Sequence, residues 1–243
     1  MDNVYAVSDI HSPRFLQLFK QALLKAPQEP PCLMILAGDI VDKGNVEMVK
    51  PVLEIIEGKW SKVKLVAVFG NEEYHDIRSS LVEKYNSITW IDDRAEFYDC
   101  GNLKVAIVGT QGSLDRLTRW QSKHMPWLFE EYRRKPQVIL ELLRATRRKA
   151  DVVILVSHYV LASANLKGED PRIWPEMYSK AMEKVIVEAK PDIAIHGHAH
   201  LGKNHTMVGG VPVYNVALPA VKSITIISLK RGLMRFKETF KFH

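Results

Sequence analysis

Seven side chains of metal-binding type recur in short groups along this 243-residue chain: Asp9 with His11, then Asp39, Asn71 and His158, then His198 with His200. The densest stretch is His196-Gly197-His198-Ala199-His200, three of the chain's nine histidines in five residues. Asp9 and His11 stand two apart, as do His198 and His200, so in an extended backbone each pair points to one side. Mixed imidazole and carboxylate donors suit manganese, iron, zinc or nickel better than calcium or magnesium alone. A carboxylate such as Asp39 is able to bridge two ions, which an imidazole is not.

Such residues need gathering, and each group follows an apolar run. Residues 4–7 precede Ser8-Asp9-Ile10-His11, and 32–37 precede Gly38-Asp39-Ile40-Val41-Asp42. Residues 63–69 precede Gly70-Asn71-Glu72-Glu73, 152–156 precede Ser157-His158, and 192–195 precede the histidine group. These runs predict buried strands, as does 104–108. Periodic apolar residues between them predict helices. One follows Ser12 as N-cap and Pro13 at the first helical position and ends before Pro27; others cover 46–57, 76–85, about 126–149 with an interruption at Pro136, and 174–189. Past His200 the pattern is β only: 207–208, 211–216, and 223–229 joined through Lys230-Arg231-Gly232 to 233–240 as a hairpin. Apolar strands alternating with helices imply a sheet covered on both faces, and the tail adds antiparallel strands. Ligands bind beyond the carboxyl ends of such strands, so five segments deliver their polar residues to one rim. Glycine before Asp39, Asn71 and His198 permits tight turns and close backbone approach there.

The bulk numbers bound the rest. At 47% hydrophobic and 26% charged, the chain suits one globular domain over residues 1–243. Two cysteines, Cys32 and Cys100, are too few for a disulfide framework and read as small core residues. No leader-like segment opens the sequence and no apolar run is long enough to span a bilayer, so a cytoplasmic protein without membrane attachment is expected. A net charge of +6 favours anionic partners. Much of the excess lies within 116–149, where Glu130 and Glu131 stand four before Arg134 and Lys135 and pair part of it. Trp120 and Trp127 in that segment raise a nucleic-acid surface; the simpler reading is an amphipathic helical insertion, about 112–149, with core tryptophans and a cationic outer face.

Taken in order, Asp9-Ile10-His11, Gly38-Asp39-Ile40-Val41-Asp42, Gly70-Asn71-Glu72-Glu73, His158 and Gly197-His198-Ala199-His200 resemble the calcineurin-like metallophosphoesterase superfamily from residue 9 to residue 200. The resemblance implies an α/β fold, a four-layer αββα sandwich of two mixed β-sheets flanked by helices, here with a β-rich C-terminal portion. It also implies two divalent metal ions, manganese favoured over iron, zinc or nickel. Asp9, His11, Asp39 and His200 would hold one, and Asp39, Asn71, His158 and His198 the other, with Asp39 bridging. The implied reaction is in-line attack on a phosphoester by a hydroxide between the metals. Asn71, Glu72 and Asp42 are the residues put forward as catalytic, Asp42 as an outer partner that orients a ligand. His196 has no family role and reads as a strand-end or supporting histidine.

Glu72 stands where the family carries histidine. A carboxylate facing a phosphoryl oxygen is repulsive unless it is protonated, hydrogen-bonded or turned away, which favours phosphodiesters over monoesters. His75 is an alternative acid, although a solvent-facing turn histidine is the simpler reading, and Lys43 reads as surface. Loops 111–123 and 161–172 are expected to shape the substrate mouth, with His205 and Asn215 as further lining residues. The expected function is a metal-dependent phosphoesterase acting on small-molecule phosphodiesters. The alternatives are a catalytically weak metal-binding scaffold, or a nuclease of the same superfamily that uses the basic segment 116–149.

Overall fold

A strand apolar at every position needs cover on both faces, and the computed structural model, which describes residues 3–229, supplies it in four layers. In chain order the elements are β1 (Asn3–Val7), α1 (Leu16–Lys25), β2 (Leu33–Ala37), α2 (Val49–Lys59), β3 (Lys64–Val68), α3 (Arg78–Lys84), β4 (Ile88–Ile91), β5 (Arg94–Cys100), β6 (Leu103–Thr110), α4 (Arg119–His124), α5 (Leu128–Arg147), β7 (Val152–Ser157), α6 (Lys180–Ala189), β8 (Ile193–His196), β9 (His205–Val208), β10 (Val211–Asn215), α7 (Leu218–Val221) and β11 (Thr225–Ser228). One sheet has the order β11-β1-β2-β3-β4 and the other β5-β6-β7-β8-β10-β9. Both are mixed: β11, β5 and β9 are antiparallel to their neighbours, and the remaining pairs are parallel.

Side chains alternate between the layers, as the pleat requires. Val4, Ala6, Leu33, Ile35, Val66 and Val68 meet Val105, Ile107, Ile154, Val156, Ile193 and Ile195 between the sheets. The intervening residues Tyr5, Val7, Met34 and Leu36 pack against Phe19 and Leu23 of α1, Val52 and Ile56 of α2, and Leu81 of α3. On the far side, Ala106, Val108, Val153 and Leu155 pack against Ile139, Leu140 and Leu143 of α5 and Met182, Val185 and Ile186 of α6. The expected αββα sandwich is therefore present.

Several local expectations are corrected. Ser12 is not a helix cap: α1 starts at Leu16, the Ser12–Pro13 bond is cis, and the Ser12 N–H donates to Ile40 O at 2.8 Å. Pro136 does not interrupt α5, because Tyr132, Pro136, Ile139, Leu140 and Leu143 form one buried stripe whose packing outweighs the missing N–H. The region 174–189 divides into a short 3-10 turn at Trp174–Glu176 and α6. β4, β5 and α7 were not anticipated, α4 falls within the helical insertion expected at about 112–149, and the second strand of the hairpin expected at 233–240 lies outside the described residues. No described helix is long and apolar enough to cross a membrane.

The two cysteines also depart from expectation. Stacking the sheets brings the start of β2 against the end of β5, and Cys32 and Cys100 are disulfide-bonded with their Cα atoms 5.5 Å apart. The bridge pins one sheet to the other across a sequence separation of 68. A loop of that length restricts the unfolded chain strongly, so Cys100→Ser is expected to lower the unfolding free energy by about 2–4 kcal/mol in denaturant titrations without reductant. Reduced wild type should then match the variant; a wild-type midpoint indifferent to dithiothreitol would refute the expectation.

Candidate metal centre

The seven residues named from sequence converge at the carboxyl ends of β1, β2 and β3 in one sheet and β7 and β8 in the other. Backbone bonds lace the loops together there. Asp9 N donates to Gly38 O at 3.0 Å, His11 N to Asp39 O at 2.9 Å, and Gly197 N to His158 O at 3.1 Å. Asp9, His11, Asp39 and His198 all have left-handed backbone, with φ of 56°, 40°, 50° and 67°. Such φ values cost energy in residues with a side chain, and their concentration at one rim marks a site where geometry outranks local stability. Gly70 makes the approach feasible, since a Cβ there would collide with the Asp39 carboxylate.

Two overlapping groups of donors result. In one, His200 Nε2 lies 2.9 Å from Asp9 Oδ1, and His11 Nε2 lies 3.8 Å from Asp9 Oδ1 and 3.5 Å from Asp39 Oδ2. In the other, His158 Nε2 lies 3.4 Å from the same Asp39 Oδ2 and 3.0 Å from Asn71 Oδ1. His198 offers a ring nitrogen within 4.8 Å of donor atoms on Asp9, Asp39 and His158. Donors about 2.1 Å from a shared ion sit roughly 3.0–3.5 Å apart at octahedral or tetrahedral angles, so these spacings are those of a coordination shell. The donor set passes a second test: both ring nitrogens of buried His11 lack a hydrogen-bond partner, an expensive state that a bound cation relieves. Both groups could hold a divalent metal.

The surroundings orient the donors. His158 Nδ1 lies 3.1 Å from Ala37 O, which fixes that nitrogen as a donor and leaves Nε2 as the atom that would coordinate an ion. Asp42 Oδ1 stands 3.6 Å from His11 Nδ1, beyond hydrogen-bond distance. Asp9 Oδ2 accepts from Ser8 Oγ and, at 2.9 Å, from His198 N. Burial pushes the Asp9 carboxyl upward, but the imidazoles of His11 and His200 hold it well below the usual carboxylate range. At His158 burial disfavours the charged ring, yet the Asp39 carboxylate wins and pushes its pKa up to about 9. Burial instead lowers His198 to about 3, aided by His158, and lowers His196 to about 4.

Glu73 is the residue whose importance the sequence reading missed. It is fully buried, and its two oxygens accept four backbone N–H groups: Gly70 at 2.7 Å and Asp39 at 2.8 Å on Oε2, Ile40 at 2.8 Å and Val41 at 3.1 Å on Oε1. Burial and the Asp39 charge push its pKa up to about 7 against those N–H groups. The sequence signal was its place immediately after Asn71-Glu72. Tyr159, also unforeseen, is buried with its ring 5.1 Å from His198 and 5.5 Å from His158.

Glu72 is half-buried and hydrogen-bonded: Oε2 accepts from Lys43 N at 2.6 Å, and Oε1 from Asn71 Nδ2 at 3.4 Å. Lys43 therefore contributes its backbone, while its residue is exposed. His75 is exposed and lines a cavity beside the centre. His196 is buried at the end of β8, its Nδ1 2.8 Å from Gly197 O. Asn215 braces rather than lines: its Nδ2 donates to Ala199 O at 2.8 Å, and the His205 ring on β9 lies tilted against Tyr214 of β10, centroids 4.9 Å apart. Of the two expected mouth loops, 111–123 lines the cavity; 161–172 instead supports the turn after His200, through Lys203 N to Asn165 O and Leu201 N to Glu169 Oε1.

The fold is shared with solved proteins at low identity. The Mycobacterium tuberculosis phosphopantetheinyl hydrolase PptH aligns with a TM-score of 0.61 at 16% identity, covering 97% of this chain and 92% of its own. Plasmodium GAP50, described as the anchor in the inner membrane complex, gives 0.55 at 13% identity, covering 91% and 74%. Haemophilus influenzae NAD nucleotidase gives 0.52 at 12% identity; 93% of this chain is covered, but only 48% of that one. No curated protein matches the sequence. The calcineurin-like phosphoesterase family model matches residues 3–202, which take in every donor described above, and the chain belongs to that family.

Proposed function

We propose that this protein is a dinuclear metal-dependent phosphodiesterase acting on small molecules. The observation that carries the dinuclear reading is the position of Asp39 Oδ2, 3.5 Å from His11 Nε2 and 3.4 Å from His158 Nε2. Its other oxygen is engaged by Glu72 N–H at 2.8 Å, so Oδ2 alone faces both histidines, where a bridging ligand belongs. Asp9, His11 and His200 complete one shell, and Asn71, His158 and His198 the other. These residues would hold two ions of the manganese, iron, zinc or nickel type, which would supply Lewis acidity toward the phosphoryl oxygens and an activated water. The chain's own residues hold that arrangement: Ala37 O aims the ring of His158, and Asn71, with its Nδ2 toward Glu72, stands at the edge on the cavity side.

Glu72 favours diesters. Its hydrogen bonds spread but do not cancel the negative charge at the edge of the cavity, whose lining also includes Asp76, the Arg116-paired Glu176 and one arginine, Arg78. A monoester dianion meets more repulsion there than a diester monoanion. The basic segment argues less for nucleic acid than its composition did. Arg116 pairs with Glu176, Arg133 with Glu130, Lys135 with Asp93 and Glu131, Arg144 with Glu188, and Arg147 with Asp192. A cytoplasmic location fits the sequence expectation, whereas the Cys32–Cys100 bridge is a feature uncommon in reducing compartments.

The test is hydrolysis of bis-p-nitrophenyl phosphate against p-nitrophenyl phosphate by manganese-loaded protein, with a metal count. Expected are about two ions per chain and a diester kcat/KM at least about tenfold above the monoester. Monoester preference would sink the charge argument; two ions with no turnover of either would move the reading to the scaffold.

A further inference from the structure

Beside the metal centre lies a cavity of about 840 Å³ that shares Asn71, Glu72 and His198 with it. Its size suits a small-molecule ligand. Its lining is rich in aromatic residues: Tyr74, Trp120, Trp127, Tyr132 and Tyr159, the last with its ring against His198, and Met125 lies between the tryptophans in sequence. Trp120 and Trp127 were expected in the core, yet they are 61% and 59% exposed. α4 and the turn that leads into α5 present them, and a capping box at Thr118 and Gln121 sets where α4 begins. At the base of the cavity, Tyr132 Oη, Tyr159 Oη and Gln121 Nε2 stand 3.3–3.5 Å from one another, long contacts that a ligand's polar atom could replace.

We infer that this chamber binds a flat aromatic group of the phosphoester substrate, with Trp120 and Trp127 as its specificity-determining residues. The inference rests on the phosphoesterase reading for the phosphate end, because one cavity is lined both by the metal-centre residues Asn71 and His198 and by the rings. Exposed tryptophans gain most by covering their faces, and ring-on-ring contact gives more than alkyl contact of equal area. Two rings at the mouth and two tyrosine hydroxyls at the base favour a rigid planar occupant over a flexible chain, which would lose more rotamer freedom on binding.

The test uses non-hydrolysable probes on manganese-loaded protein: phenylphosphonate, hexylphosphonate and methylphosphonate, followed by calorimetry and by tryptophan fluorescence. Phenylphosphonate is expected to bind about tenfold tighter than either alkyl probe and to change the tryptophan emission saturably. Trp120→Ala/Trp127→Ala, at two exposed positions, should fold with an unchanged melting temperature and lose the preference to within about twofold. Hexylphosphonate binding as tightly as phenylphosphonate, or a preference that survives in the variant, would overturn the inference. Turnover of phosphodiesters without aryl preference would sink this inference alone; aryl preference without turnover would sink the phosphodiesterase reading and leave the aromatic chamber standing.

Discussion

Asp39→Asn is expected to abolish phosphoester turnover, by about 10³-fold or more, while leaving the fold intact. Asparagine has the shape of aspartate, and its Oδ1 would still accept the Glu72 N–H that now lies 2.8 Å from the carboxylate. The other terminal atom then becomes an NH₂ group aimed at His11 Nε2 and His158 Nε2, where Asp39 Oδ2 now sits. Turning the amide over would restore an oxygen to that place but set the NH₂ against the Glu72 N–H. Either way the centre loses the single anionic oxygen that faces both donor groups. Loss of shared charge stabilisation at two ions is worth several kcal/mol, and about 4 kcal/mol is already a thousandfold. Metal content measured after dialysis should fall from about two ions per chain to one or fewer, with an unchanged far-ultraviolet circular dichroism spectrum. Two retained ions with turnover within tenfold of wild type would show that Asp39 does not bridge.

The donor residues were legible because their type and order carry the chemistry, and strand ends are where an α/β fold delivers them. Asp9 and His198 illustrate how far that went: each was placed at the rim, but neither left-handed backbone nor the Asp9 to His198 N–H bond has a signature in the sequence. What stayed hidden was tertiary. β5 is an edge strand of mixed exposure, so Arg94 to Asp99 show no apolar run to find. Lys135 reads as a surface partner of Glu131, four residues away; in the fold its side chain is 3% exposed and also bonds Asp93, from the turn between β4 and β5. Cys32 and Cys100 lie 68 residues apart, and only the stacking of two sheets makes them neighbours. Trp120 and Trp127 fit a core by residue type alone. Their exposure follows from α4 and the start of α5 standing over a cavity rather than over a sheet.

Glu73→Gln is expected to cost about 5 kcal/mol of stability. Its carboxylate oxygens each accept two backbone N–H groups from Gly70, Asp39, Ile40 and Val41, at 2.7–3.1 Å in full burial. An amide supplies one acceptor oxygen and sets its NH₂ against the other two N–H groups. Two bonds then vanish, each worth about 1 kcal/mol, and two donors are left buried without partners at a cost of about 1–3 kcal/mol each. The damage has a second consequence because those N–H groups belong to the turns after β2 and β3. Asp39 holds φ of 50° in the grip of this carboxylate, so loosening it releases the residue that faces both donor groups. Urea titration with far-ultraviolet detection should show the midpoint falling steeply, and the fraction still folded should bind manganese more weakly. Glu73→Asp keeps the charge but shortens the reach, and should fall between wild type and the amide. The contrast with Asp39→Asn separates two kinds of buried acid: one whose loss removes chemistry from a fold that survives, and one whose loss removes the frame. If Glu73→Gln unfolded within about 1 kcal/mol of wild type, the carboxylate would not be what secures the two turns, and Asp39 would owe its conformation to the glycines beside it.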